Sequence, residues 1–428
     1  MKKILISTIS AWNQNSGANT YSAMFSKFKK DAEIANIYFR ADLPDSDVAT
    51  RYFQILENEV VRSIFHRDRI TGKEVSNYTL NDEDTLRIQS EKNRYSRFSK
   101  RHNPLFMWGR EVLWKLGRWK SKELNSFLSD IAPDIFFFPL SNYCYFNRVN
   151  EYIVKKCKPK MVVGFLGDDT FTYKQRSDLF YYINRFFIRK SVKRLVGQCD
   201  EVLAICPKMK QECDRFFHIN SEVITKPIRD VAPSCYIRDL SKPIRLIYTG
   251  GLYLGRDESL ISLAKAIQEI NQEKQYMYLD IYTNTSLKNE ILSALNNPGC
   301  CEVKGGIPQC QVFEEQEKSD ILVLVESFSD KTARLSFSTK ITDYLSSNRC
   351  ILAIGPEDIS SMEYLKNEDA AIICNSPQNI FPILKHLKDD VNLIKEYAEK
   401  GYRCGVRNHS SEEINKRLKN VLKLEEQS

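Results

Sequence analysis

Short apolar runs recur along this chain, and helical patterns follow most of them. In the first half the runs cover residues 3–9, 34–39, 134–139, 161–166 and 201–205. In the second half they cover 244–249, 277–282, 302–304, 320–325, 350–354 and 370–374. Between them lie stretches such as Leu260, Leu263, Ala264, Ala266, Ile267 and Ile270, spaced for one face of a helix. Parallel neighbours need long crossover connections, usually helices, so this alternation restricts the chain to parallel sheets covered by helices. The pattern occurs twice. Pro227, Pro233 and Pro243 cluster between the two occurrences and mark a domain crossing. A length of 428 residues suits two or three domains at about 150 residues each.

The expected fold class is therefore α/β, with two Rossmann-like domains facing a cleft. The N-terminal domain is expected over 1–225, a linker over 226–243, and the C-terminal domain over 244–405. A closing helix follows over 406–428, with Ile414, Leu418, Val421 and Leu422 on one face. Residues 45–105 are polar and too long for an ordinary α/β connection, so they are expected to form an inserted helical region or lid.

Composition excludes several classes. The chain is 42% hydrophobic, 28% charged and 11% aromatic, which is globular rather than disordered or collagenous. It has no apolar run of about 18 residues, the length of a membrane-spanning helix. The opening Met1-Lys2-Lys3 leads into a run too short for a signal peptide, so a first strand and a cytoplasmic protein are expected. The 12 Cys include no CxxC pair, and none of the 5 His stands at zinc spacing from a Cys. Buried thiols in a reducing compartment are expected, with no metal site. Charge is concentrated instead. Residues 86–123 hold eleven Lys and Arg against three acids, an excess equal to the net charge of +8 of the whole chain. Trp108, Trp114 and Trp119 lie in the same stretch.

Three segments carry chemistry. Tyr248-Thr249-Gly250-Gly251 ends a strand, and a short loop leads past Arg256 to a helix with Asp257 as its expected N-cap. Glycines let backbone approach a ligand, and a helix N-terminus offers free N–H groups to an anion. Next, Ser338-Thr339-Lys340 stands at a helix start with Asp343 a turn later. Hydroxyls, amides and an ammonium there suit a diphosphate, and the carboxylate suits a ribose diol. Last, Asp168 and Asp169 directly follow a buried strand, where ligands of α/β sheets gather. Each segment also has a plain structural reading: a tight turn, an N-capped helix and a cap pair.

In their order these motifs resemble the retaining glycosyltransferases of the GT-B fold, often called glycosyltransferase family four. The resemblance covers most of the chain and is strongest after residue 200. In that family a Y-x-G turn with a basic residue grips the donor diphosphate, which here is Tyr248-Thr249-Gly250 with Arg256. A stretch near STKI-x-DYL matches Ser338-Thr339-Lys340-Ile341 and Asp343-Tyr344-Leu345. Asp343 resembles the ribose-binding second acid of the family's E-x7-E pair. The first acid would fall at Leu335, with Glu326 and Arg334 nearby as substitutes. Gly305-Gly306-Ile307 falls where relatives contact the base, and Asn15-Ser16-Gly17 is expected as an acceptor-side loop. The family's HD pair is replaced by Gly167-Asp168.

The resemblance implies a hexosyltransferase, retaining and independent of a metal or other cofactor. It would move sugar from a nucleotide-diphosphate donor to a glycan or lipid-linked acceptor, with Asp168 or Asp169 as the catalytic acid. The missing acid and His keep open a non-catalytic GT-B partner of a transferase, and the shared fold keeps open a sugar-nucleotide epimerase. A metal-dependent GT-A enzyme finds little support, since Asp45-Ser46-Asp47 and Asp82-Glu83-Asp84 do not sit in credible strand-end turns. The aromatic and basic stretch 86–123 suits an anionic membrane surface, so peripheral docking is expected. Part of it, including Leu116 and Trp119, also fits a helix facing the core. With no nucleic-acid motif, no nucleic-acid partner is expected.

Overall fold

A computed structural model of the protein describes residues 1–13, 19–75, 104–169, 179–230, 233, 236, 239–330 and 333–424. The chain divides into two compact units, one of residues 1–205, 209–225 and 415–428, the other of residues 206–208 and 226–414.

The first unit is built on an eight-stranded sheet ordered β4-β3-β2-β1-β5-β6-β7-β8. The chain enters through β1 (Lys2–Ser7), α1 (Asn19–Phe25), β2 (Ala32–Tyr38), β3 (Arg51–Gln54), α2 (Glu57–Phe65) and β4 (Lys73–Val75). It continues with α3 (Pro104–Leu116), α4 (Lys122–Ile131), β5 (Ile135–Pro139), α5 (Cys144–Cys157) and β6 (Met161–Leu166). It then runs through α6 (Leu179–Val196), β7 (Glu201–Ala204), α7 (Pro207–Phe217) and β8 (Glu222–Val223). The central strands pair in parallel, with Ile4 opposite Ile34 on one side and Ile135 on the other. Both faces of such strands are covered, which is why they read as nearly continuous apolar runs. Ile4, Leu5, Phe136, Phe137 and Val163 are fully buried.

Within the expected insertion 45–105, residues 51–54 and 73–75 join the sheet with α2 between them, and residues 76–103 lie outside the described residues. Strand β3 pairs in parallel with β2, and β4 closes the edge antiparallel to β3, with Tyr52 opposite Val75. Aromatic Tyr52 and Phe53 are buried, so this segment belongs to the sheet despite its polar surroundings. Gly117 explains the break between α3 and α4. A Cβ there would lie 2.4 Å from Val60 Cγ1 and 2.7 Å from the Val60 carbonyl oxygen, so glycine permits the approach to α2. Ser121 then caps α4 by accepting from Leu124 N at 3.1 Å.

The second unit holds a six-stranded, all-parallel sheet ordered β11-β10-β9-β12-β13-β14. Its elements are β9 (Ile244–Thr249), α8 (Arg256–Ile270), β10 (Met277–Tyr282), α9 (Asn289–Leu295), β11 (Cys301–Gly305), α10 (Gln309–Glu317) and β12 (Ile321–Val325). After these come α11 (Lys340–Leu345), β13 (Cys350–Ile354), α12 (Ser360–Asn367), β14 (Ile372–Cys374), α13 (Ile380–Asp389) and α14 (Asn392–His409). Leu246, Leu263, Ile267, Leu279 and Val323 form its core. From β9 the chain moves outward to β10 and β11, then returns to place β12 on the other side of β9. That reversal opens a crevice between the carboxyl ends of β9 and β12, the usual ligand position in such sheets.

The last helix, α15 (Ser411–Val421), returns to the first unit from residue 415 onward. Lys419 pairs with Asp31 at 2.6 Å, and Lys2 Nζ donates to the Lys423 carbonyl at 2.7 Å. Among the described residues, no helix is long and apolar enough to cross a membrane.

Candidate functional site

Strand β9 delivers Gly250 to the crevice with φ +147°, a conformation that favours glycine. A Cβ on Gly250 would lie 2.0 Å from Lys340 Nζ. The glycine therefore makes room for an ammonium brought from the start of α11. That ammonium sits 4.6 Å from the centre of the Tyr248 ring, a cation–π position. Tyr248 is held in turn, since its hydroxyl donates to the Gly251 carbonyl at 2.8 Å. No acceptor among the described residues lies within hydrogen-bond distance of Lys340 Nζ. Burial pushes the amine down to about 8, and the nearby Arg256 pushes in the same direction while Glu326 opposes it.

Arg256 opens α8. Its Nε and Nη2 donate to Glu326 Oε2 at 3.2 and 3.0 Å. Glu326 follows β12 and is almost wholly buried. Burial alone would lower the Arg256 guanidinium, but Glu326 and Tyr248 reverse this and the net shift is upward. The helix N-cap is Gly255 rather than the expected Asp257, which lies in the first turn. Gly255 adopts φ +74°, and a Cβ there would meet Ser327 Oγ at 2.4 Å. The turn thus needs glycine at the cap position, and the acid becomes the second residue of the helix.

Asp343 does not stand alone. Lys226 Nζ lies 2.7 Å from its Oδ1, which leaves Oδ2 for another donor. The backbone N of Ser338 donates to Ser361 Oγ at 3.2 Å. Among the described residues, the hydroxyls of Ser338 and Thr339 have no hydrogen-bond partner. Helix α11 has only six residues and no side-chain cap, so charge here comes from Lys340 more than from helix geometry. Leu335, at the place of the expected first acid, is fully buried. Of the two suggested substitutes, Glu326 joins the cluster through Arg256, and Arg334 gives its carbonyl to Ser360 N at 2.9 Å.

Gly305 and Gly306 close β11, on the far side of β10 from Gly250. Gly305 has φ +76°, and its carbonyl accepts from Thr283 N at 2.8 Å. A Cβ on Gly306 would overlap Asn284 Oδ1, at 1.5 Å. The pair, followed by Ile307, forms a backbone ledge beside Asn284 at the strand ends. Among the described residues, no hydrogen bond or ion pair joins it to the Lys340 cluster.

In the first unit, Asp168 and Asp169 follow β6. Asp168 keeps contact with solvent, yet the dense surroundings of its carboxyl raise its pKa, and Asp169 adds to the shift. Tyr21 on α1 is raised by burial first and by Asp168 second. Its ring packs edge-on against Phe165, with centroids 5.6 Å apart. Asp169 acts on Arg189 of α6, raising it against the larger downward pull of burial. Asn15, Ser16 and Gly17 lie outside the described residues, as do residues 82–84.

Sequence reasoning passed over Lys226, Asn284, Tyr21 and Arg189. Lys226 had a signal, since it directly precedes the first proline of the crossing, but a lysine in a linker carries no pattern. Tyr21 and Arg189 are single residues on helices with another evident purpose, and Asn284 is a single residue in the loop after β10.

No family model matches the sequence, and no curated sequence matches it. Solved structures do match by fold. The chain is similar to Anabaena HepE in complex with UDP-glucose, at TM-score 0.61 and 10% identity over 99% of this chain and 100% of the other. It is similar to the sucrose-phosphate synthase of Thermosynechococcus elongatus, at 0.61 and 9% identity over 99% and 98%. It is also similar to a S. aureus TarM variant in complex with fondaparinux, alpha-GlcNAc-glycerol and UDP, at 0.59 and 12% identity over 98% and 99%. At these identities the shared property is the fold.

Proposed function

Starting from the GT-B fold that these structures share with the chain, we propose that the protein is a glycosyltransferase. It moves a hexosyl group from a nucleoside-diphosphate donor to a glycan or lipid-linked acceptor, in polysaccharide or glycoconjugate synthesis. The carrying observation is Lys340, an ammonium with no acceptor among the described residues, beside Arg256 at the strand-order reversal of the second unit. Such a group is held in place for an anion that arrives from outside.

The chemistry follows from charge. As the bond between the anomeric carbon and the diphosphate oxygen breaks, the electron pair leaves with the diphosphate. Lys340 and Arg256 neutralise that growing charge, most effectively in a site already stripped of water. Glu326 holds the Arg256 fork in one orientation. Asp343 takes the ribose through the oxygen that Lys226 leaves open, and the Gly305-Gly306-Ile307 ledge takes the base. The acceptor hydroxyl attacks the anomeric carbon and gives up its proton. Asp168 or Asp169 is assigned that proton or the stabilisation of the oxocarbenium-like centre. Retention of configuration and a donor site without metal belong to the same reading. So does a cytoplasmic, peripheral placement at an anionic membrane bearing the acceptor.

Calorimetric titration with uridine, guanosine and adenosine diphosphates tests the reading. One nucleotide is expected to bind, and Lys340→Met and Arg256→Ala each to weaken it by about 1–3 kcal/mol, as for charge-assisted hydrogen bonds. A chain that binds none of the three would be the non-catalytic partner instead.

A further inference from the structure

Peripheral docking was expected through residues 86–123; residues 86–103 lie outside the described residues, and in 104–123 two tryptophans and Arg110 pack inward. Trp114 and Trp119 are buried. Trp114 stacks on Tyr145 with centroids 4.4 Å apart, and its Nε1 donates to Glu57 Oε2 at 2.8 Å. Arg110 pairs with Glu57 and lies over the Tyr145 ring at 4.4 Å. These groups hold α3 against α2 and α5. Lys115, Arg118, Lys120 and Lys122 remain on the surface.

Helix α6 shows the opposite situation. Its buried residues, Ile188, Ser191, Val192, Leu195 and Val196, follow one face through its C-terminal half. On the opposite face, Leu179, Phe186 and Phe187 are 70%, 61% and 53% exposed, and Tyr182 is exposed with them. One turn further along, the same outward face carries exposed Lys190 and Lys193. The helix has five basic residues and no acid. An amphipathic helix at a water surface puts polar residues outward. This one puts aromatic rings outward in its first half and cations in its second. Helix α3, packed against α6, exposes Val112 and Leu116 as well.

We propose that the outward face of α6 docks the protein on an anionic bilayer. The aromatic half enters the boundary between headgroups and acyl chains, and Lys190 and Lys193 meet lipid phosphates. This rests on the peripheral-membrane reading above and names the surface that serves it. Charge decides against a second copy of the chain as the occupant. A two-fold contact along α6 would set Lys190 and Lys193 against their own copies, and α6 itself carries no acid to meet them. An anionic bilayer supplies the complementary charge and an apolar layer together.

The test is sedimentation of the full-length protein with phosphatidylcholine vesicles, with and without phosphatidylglycerol, at low and high salt. Binding is expected only with phosphatidylglycerol and is expected to weaken with salt. Phe186→Ser with Phe187→Ser is expected to reduce partitioning about tenfold, since each ring buries apolar surface on docking. Lys190→Gln with Lys193→Gln is expected to reduce it further in the anionic vesicles. Circular dichroism and nucleotide affinity, unchanged in both variants, would show that the fold is intact. If the wild type does not sediment with anionic vesicles at low salt, the membrane reading itself falls. If it does sediment, but the loss follows Arg118→Gln, Lys120→Gln and Lys122→Gln and not the α6 variants, the α6 assignment alone is overturned. A wild-type dimer without lipid that the Phe186 and Phe187 changes convert to monomer would overturn it too, making a second copy the occupant.

Discussion

Lys340 is charged at a place that resists charge, and that sets a pH dependence. Its amine titrates near 8 in the folded chain, against 10.5 ordinarily. Between those values the unfolded chain holds the proton more firmly than the folded one. The cost of charging the buried amine is therefore fully present below about pH 8 and disappears as pH rises through 10.5. Binding of a diphosphate favours the ammonium. Nucleotide affinity should thus be level below about pH 8 and fall above it, with proton uptake visible as a buffer-dependent binding enthalpy. Lys340→Met should abolish both the fall and the uptake; a fall that persists in this variant would remove the assignment. Asp168 makes the mirrored case. Its carboxyl is raised by its surroundings and by Asp169, so the folded chain holds its proton more firmly. Ionising it costs stability above the folded pKa, and that cost is absent at low pH. Asp168→Asn should leave the midpoint of thermal unfolding at neutral pH unchanged or higher, while most transfer activity is lost with nucleotide still bound. A lowered midpoint with activity intact would mark Asp168 as a structural cap.

Among the elements, the β9–α8 turn shows how a local rule serves a distant residue. Gly250 reads in the sequence as a place for close backbone approach, and the structure supplies the neighbour, an ammonium ninety positions later. The atom that a Cβ would meet is the free end of a flexible side chain, so Lys340 can swing away. Gly250→Ala should therefore cost about 1–3 kcal/mol of stability through backbone strain. Its loss of nucleotide affinity should approach that of Lys340→Met. Calorimetry beside thermal unfolding separates the two effects, and unchanged affinity would show that the glycine serves the turn alone. Elements with strong periodicity were legible in the sequence: β6, β9, β10 and β13 fall where the apolar runs predict them. Strands β3, β4 and β8 were not, because each carries only two to four residues of pattern, too few to set a period. Their pairing comes from the neighbour that recruits them.

At the scale of the whole molecule, each unit has its own sheet and core, so a ligand held by one should stabilise that one first. Amide exchange in the full chain should slow most over residues 249–260 and 326–345 when nucleoside diphosphate is added. The sheet β1–β8 should keep its own rates more closely. Protection confined to the first unit would move the donor site there. The grouping of the chain depends on a return that no local pattern announces. Ile414, Leu418 and Leu422 are buried, and an apolar stripe on a terminal helix states that it packs, not on what. Only the folded chain puts Lys419 beside Asp31.

By itself the sequence determined the double α/β alternation, the glycine turn after β9 and the placing of Lys340 at a helix start. These are consequences of period and backbone geometry, which act over a few residues. Tertiary structure alone decided the partners. It gave Arg256 to Glu326, left Lys340 over Tyr248 without an acceptor among the described residues, and joined Asp343 to Lys226. It also buried Trp114 while turning Phe186 outward. The reason is physical: periodicity states which face of an element avoids water, while charge pairing and burial depend on what the remainder of the chain brings against that face.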